Sequence, residues 1–211
     1  MTLLLADPPL AEVRSRVTAD ELLARPDGDR FELVNGDLVE RQMGWESELL
    51  GSNLQVLLGW FCQQANLGWV NGSNAGYQCY GEIDPDDPDR IRKPDVSFIA
   101  SHRIPKNARL KGHCPIVPDL VVEVVSPNDL YEEVEAKVGE YLQVGVKLVW
   151  VVNPHTKAIR IHRANGTVHD VGLKDELSGE DVVPGFRCAV QDVFRLPGES
   201  TPLQTQCQSR P

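Results

Sequence analysis

Asp119-Leu120-Val121-Val122-Glu123-Val124-Val125 is a nearly unbroken run of aliphatic, mostly β-branched residues with one acid near its middle. Runs of this kind form strands covered on both faces, because no position is given over to water. Ser126-Pro127-Asn128 ends the run, and Asp129 with Glu132 supplies a candidate cap for a helix reaching about Gly145. A second buried-type strand follows at Lys147 to Val152. Strand, helix and strand at this spacing predict a βαβ crossover, right-handed, with the two strands parallel. The chain is therefore read as α/β.

Outward from this unit the signals are local. Upstream, Pro94-Asp95-Val96-Ser97-Phe98-Ile99 reads as a strand beginning just after Pro94. The stretch from Asp84 to Asp89 reads as a solvated acidic loop, and Ser101 to Gly112 as an irregular basic one carrying His102, Arg103, Lys106, Arg109 and Lys111. Leu50, Leu54, Leu57, Leu58 and Phe61 recur at helical spacing and predict one long amphipathic helix over Glu46 to Ala65. Phe31 to Val34 and Asp37 to Glu40 flank Asn35-Gly36, the pair that best tolerates a type I′ turn, so they predict a hairpin. Thr18 with Glu21 predicts a capping box on a short helix. Downstream, Ala158 to Arg163 and Thr167 to Val171 predict a second hairpin around Ala164-Asn165-Gly166. Three parts result: an extension over 1–17, one domain over 18–196 and a flexible tail over 197–211.

Composition restricts the function classes. With 21 Lys+Arg against 31 Asp+Glu in 211 residues, the formal charge is −10, which disfavours indiscriminate binding of nucleic acid through a broad basic surface. No stretch approaches the roughly 18 apolar residues of a membrane span. Five scattered cysteines without a C-x-x-C pair argue against a zinc module and for reduced thiols, hence a cytoplasmic protein. Cys62 is expected in the core, and His155 and His162 at the surface.

Function is sought where a charge occupies a core position. An isolated ionised Glu123 inside an apolar strand costs several kcal/mol unless it is paired or bound to a cation. Lys137 shares a helix face with Val134, Val138 and Tyr141, the face expected over Glu123. Carboxylates sharing one ion at roughly 2.0 to 2.6 Å must lie close together. Asp119 lies about 13 Å along the same strand from Glu123, too far to share it. Asp95, on a separate strand roughly 5 Å away if paired, is the better partner.

These segments together resemble the PD-(D/E)xK nuclease superfamily and, more closely, the Uma-type restriction-endonuclease family. The resemblance rests on Phe31 to Val39, Pro94-Asp95-Val96, Pro118 to Pro127, Lys137 through Tyr141, Gly145-Val146 and Val149 to Pro154, and spans most of residues 18 to 195. It implies a restriction-endonuclease-like core: a mixed central β-sheet flanked by helices, with additional antiparallel hairpins. It further implies that Asp95 and Glu123, with the main-chain carbonyl of Val124, bind Mg²⁺ (or Mn²⁺ in its place). Val125 stands where the superfamily motif has lysine, so that role passes to Lys137. Glu32 matches an early glutamate of the family and would hold a second ion or a water. Trp45-Glu46-Ser47 stands where the family commonly has a histidine.

The implied activity is Mg²⁺-dependent DNA endonuclease chemistry, with RNA or branched DNA as other substrates and a homodimer suited to cutting two strands. The basic loop would contact flanking phosphates. The rival reading is a catalytically inactive module that keeps the nuclease fold for binding or assembly and uses Glu123 and Lys137 as a structural ion pair.

Overall fold

The computed structural model describes residues 16–41, 44–108, 111–196 and 198. The chain starts with helix α1 (Ala19–Ala24), then hairpin strands β1 (Phe31–Val34) and β2 (Asp37–Glu40), and the long helix α2 (Trp45–Gln64). Strands β3 (Gly68–Gly72), β4 (Val96–Ala100) and β5 (Leu120–Val124) come next, followed by helix α3 (Tyr131–Val144). The remainder comprises β6 (Leu148–Asn153), β7 (Ala158–Arg163), β8 (Val168–Gly172), β9 (Glu176–Ser178), β10 (Arg187–Ala189) and the short α4 (Val190–Val193).

Six strands form one sheet in the order β3-β4-β5-β6-β7-β8. As the crossover pattern requires, β5 and β6 are parallel, with Leu120 opposite Leu148 and Val124 opposite Val152; every other pairing in this sheet is antiparallel. Period-two alternation divides β5 between two cores. Leu120, Val122 and Val124 join Leu50, Leu54, Leu58 and Cys62 of α2, whereas Val121 joins Val138 and Tyr141 of α3. With a helix on each face no position of β5 is solvated, which explains the continuous apolar run. Glu123 is odd-numbered and falls on the α3 side.

The β1–β2 hairpin stands apart from this sheet and turns through Asn35 and Gly36, at φ 54° and 78°. Both values lie in the left-handed region that a type I′ turn demands. Reciprocal hydrogen bonds between the main chains of Leu33 and Ile91, 3.0 and 2.8 Å, anchor it to the segment leading into β4. The capping box of Thr18 and Glu21 forms as expected.

Several expectations need correction. Asp129 and Glu132 do not cap α3: its first helical residue is Tyr131, and Asp129 accepts the Ser126 N–H at 2.7 Å to close the preceding turn. The acidic stretch is not a freely solvated loop. Asp87 is buried against Arg90 Nε and the Asn35 N–H, and Asp84 also binds Arg90, so one guanidinium organises the segment. His162 is buried on the hairpin rather than exposed. Arg103 of the basic loop is held by the Val117 carbonyl and by Asp119, 2.7 and 3.1 Å, and is not a free phosphate contact. The expected tail over 197–211 lies outside the described residues except for Gly198, and the extension over 1–17 except for Arg16 and Val17.

Candidate active site

The site forms where β4 parts from β5. Their ladder pairs Val96 with Val122; one step further would set Asp95 opposite Glu123, but the chain bends at Asp95. The Asp95 carboxylate takes over part of the lost pairing, accepting the Val124 N–H at 2.7 Å. Asp95 is thereby held at the end of the strand carrying Glu123. Asp119 is spoken for elsewhere, by Lys147, Arg103 and the Ala100 N–H.

Glu123 points toward α3. The Tyr141 hydroxyl donates to its Oε1 at 2.6 Å, and Lys137 Nζ lies 3.9 Å from its Oε2. Lys137 is closer to Glu32, at 3.1 Å. Glu32, on β1 and almost wholly buried, also accepts from Arg92 at 2.9 Å and from the Lys93 N–H at 2.8 Å. Arg92 in turn grips Glu140 of α3 with two hydrogen bonds of 2.8 Å. The acids and bases therefore form a chain across the hairpin, the helix and the sheet, with Lys137 between the two glutamates.

The electrostatics follow from burial against these partners. Burial opposes ionisation of Glu32, yet Lys137, Arg92 and the Lys93 N–H outweigh it and hold its carboxyl below the ordinary range. For Glu123 burial wins over the pull of Lys137, and the carboxyl is pushed up. Burial also raises Asp95, reinforced by the charge on Glu123 and against the Val124 N–H and Arg41, to about 7. Lys137 resists burial because Glu123 and Glu32 stabilise its charge.

The Asp95 shift has a measurable sign. In the metal-free protein the folded chain keeps the Asp95 proton up to about pH 7, while the ordinary carboxyl value is 3.8. Between those limits the folded state binds more protons, so this group's contribution to stability declines as pH rises from about 4 to about 7 and is level above. In EDTA, Asp95→Asn is expected to melt several degrees above the parent at pH 8, with the gap closing toward pH 4. Thermal unfolding across pH checks this; a gap independent of pH would mean that Asp95 is ionised throughout.

A cleft of about 310 Å³ opens over this chain of charges, lined by Glu32, Glu123, Val124 and Lys137 among others. Its acids, Glu32, Glu40, Glu123, Asp129 and Glu133, outnumber its bases, Arg41, Arg92 and Lys137. Among the described residues no three His, Cys, Asp or Glu side chains form a metal cage on their own. Mg²⁺ does not require one, since it commonly keeps several waters and binds protein through one or two carboxylates. Glu123 on the cleft wall and Asp95 at the adjoining end of β5 fit that donor set.

Sequence reading missed Arg41. Its guanidinium is nearly buried, 3.4 Å from Asp95, and its other terminal nitrogen is buried with no hydrogen-bond partner among the described residues. No periodicity flags an arginine just past a hairpin strand. Tyr141 was visible only as a core residue on the helix face. In the segment where a histidine was expected, Trp45 is 90% exposed, and the Ser47 hydroxyl binds the Gly44 main chain and the Ser126 hydroxyl.

The Uma2 family model, described as "Putative restriction endonuclease", matches residues 19–191. A crystal structure described as "a putative nuclease belonging to DUF820", from Anabaena variabilis ATCC 29413, is similar with a TM-score of 0.70. The alignment covers 84% of this chain and 97% of that one at 17% identity, a level at which the fold is what the two share. No curated protein matches the chain.

Proposed function

This chain belongs to the Uma2 family, and on that premise we propose that it is a Mg²⁺-dependent endonuclease hydrolysing phosphodiester bonds in DNA. The observation that carries the reading is the pair Asp95 and Glu123 at the point where β4 and β5 diverge, with Lys137 and Arg41 beside them. Asp95, Glu123 and the Val124 carbonyl would hold the ion. A bound Mg²⁺ polarises phosphate oxygens and makes bound water more acidic. Lys137 orients the attacking water and offsets charge that develops on the phosphoryl oxygens. Glu32, its own oxygens already engaged, acts by holding the Lys137 ammonium. Arg41, 3.4 Å from Asp95, holds that carboxylate in place.

No described helix is long and apolar enough to cross a membrane. The described cysteines, Cys62, Cys79, Cys114 and Cys188, are all free, which supports a reducing, cytoplasmic setting. A two-fold dimer would bring one site to each strand of a duplex.

The test pairs calorimetric titration of Mn²⁺ with incubation of plasmid, single-stranded and branched DNA and RNA in Mg²⁺, Mn²⁺ or EDTA. Binding heat that Asp95→Ala removes, with DNA cleavage in either metal and none in EDTA, is the expected result. Absence of both binding heat and cleavage at millimolar metal would overturn the proposal.

A further inference from the structure

A second cavity, about 600 Å³ and larger than the active-site cleft, lies beside the edge strand β3. One wall carries Lys93, which is 5% exposed. Its ammonium donates to the Gly28 carbonyl at 2.6 Å and forms no ion pair among the described residues. Buried ammonium groups are ordinarily paired or multiply hydrogen-bonded, since each carries a large desolvation penalty. Asp29 and Glu32 stabilise its charge from a distance but neither forms an ion pair with it, so a cation on the wall of a cavity leaves a place for an anion inside it.

The other walls describe the rest of that ligand. Trp69, opposite Ile99 in the β3–β4 register, lines the cavity and is 41% exposed, which makes an indole face accessible to a flat group. Lys111, exposed and without an ion pair among the described residues, adds a second positive charge. Asp29 is the one carboxylate among the lining residues, and Arg25 is already held by Asp27. An anion joined to a planar, partly apolar body matches this lining, and the volume falls within the range of small-molecule sites.

We propose that this cavity binds a nucleotide, its phosphate against Lys93 and its base on Trp69. That the anion is a nucleotide rests on the nuclease reading; the anionic and planar character rests on the cavity itself. The two cavities have no lining residue in common among the described residues, but one hydrogen bond links their surroundings. The Lys93 N–H donates to Glu32, which holds Lys137, and Asp95 lies two residues further on. In the cavity the phosphate is recognised by charge and the base by sequence-tolerant stacking.

Calorimetry on the full chain in EDTA, with dAMP, adenosine and a single-stranded deoxyadenosine hexamer as probes, tests the assignment. Either phosphate-bearing probe is expected to bind, and binding should fall at least about tenfold in both Lys93→Met and Trp69→Ala. Binding of dAMP identifies a free-nucleotide site; binding of the hexamer alone identifies a strand site. If Lys93→Met fails to fold, Trp69→Ala and the preference for dAMP or hexamer over adenosine still decide. No binding by either phosphate-bearing probe at millimolar concentration overturns the proposal, as does binding that Trp69→Ala leaves intact or adenosine binding equally well. The readout is affinity without metal, so absence of cleavage elsewhere would not alter it.

Discussion

Lys137→Met is expected to lower the rate of metal-dependent DNA cleavage by about 100- to 1,000-fold, the loss typical when one preorganised charge-stabilising group is removed. Methionine preserves much of the packing of the alkyl stem and removes the ammonium. The ammonium sits 3.1 Å from Glu32 and 3.9 Å from Glu123, and both carboxylates keep it charged. After its removal Glu32 retains Arg92 and the Lys93 N–H, and Glu123 retains the Tyr141 hydroxyl. The fold therefore keeps most of its compensation while the reacting water loses its orienting donor. Initial rates on plasmid, read beside a thermal melt of the same variant, separate the two effects. If the rate stays within about threefold of the parent while the melting point falls, Lys137 is a strut between two buried glutamates and not a catalytic group; a change that small is under 1 kcal/mol of transition-state stabilisation.

The largest loss of stability is expected from Arg92→Met. Arg92 is 7% exposed and ties its own segment to two elements, reaching Glu32 on β1 with Nη1 and Glu140 on α3 with Nε and Nη2. Breaking a buried pair by removing one partner typically costs about 3–5 kcal/mol, because the remaining charge stays desolvated. For a chain of this size that is a fall of roughly 10 °C in Tm. Glu32 then depends on Lys137 and a single N–H. The pH dependence has the opposite sign to that of Asp95. The folded-state carboxyl of Glu32 lies below its ordinary 4.5, so its contribution is present above that value and is lost as pH falls through the lower folded value. Weakening that depression shrinks the contribution, and the gap between variant and parent should narrow in acid. Denaturant melts at pH 7 and pH 3.5 measure it. Equal gaps at both would show that Arg92 acts by packing and not by neutralising Glu32.

The reading of Lys137 and Glu123 as partners was legible because two independent periodicities, two for β5 and 3.6 for α3, each put a charge on a face that had to be buried. The same arithmetic excluded Asp119, which the structure places in a separate cluster with Lys147 and Arg103. The acidic stretch and His162 were misread for a common reason. Composition treats a charged or polar residue as solvated unless its neighbours in the chain are apolar, whereas Asp87 is buried by Asn35, 52 residues away, and by the Arg90 guanidinium.

Local signals along the chain were sufficient to specify the parallel β5–β6 pair and the helix face that meets Glu123, from which faces must leave water, and the two hairpins, from their Asn-Gly turns. Three further features came only from the assembled chain: the bend that turns Asp95 onto the Val124 N–H, the saturation of Glu32 by Arg92 and Lys93, and the approach of Arg41 to Asp95. Each is a contact between segments distant in sequence, set by where hydrogen bonds are lost when one strand parts from another and where a buried charge finds its counterpart.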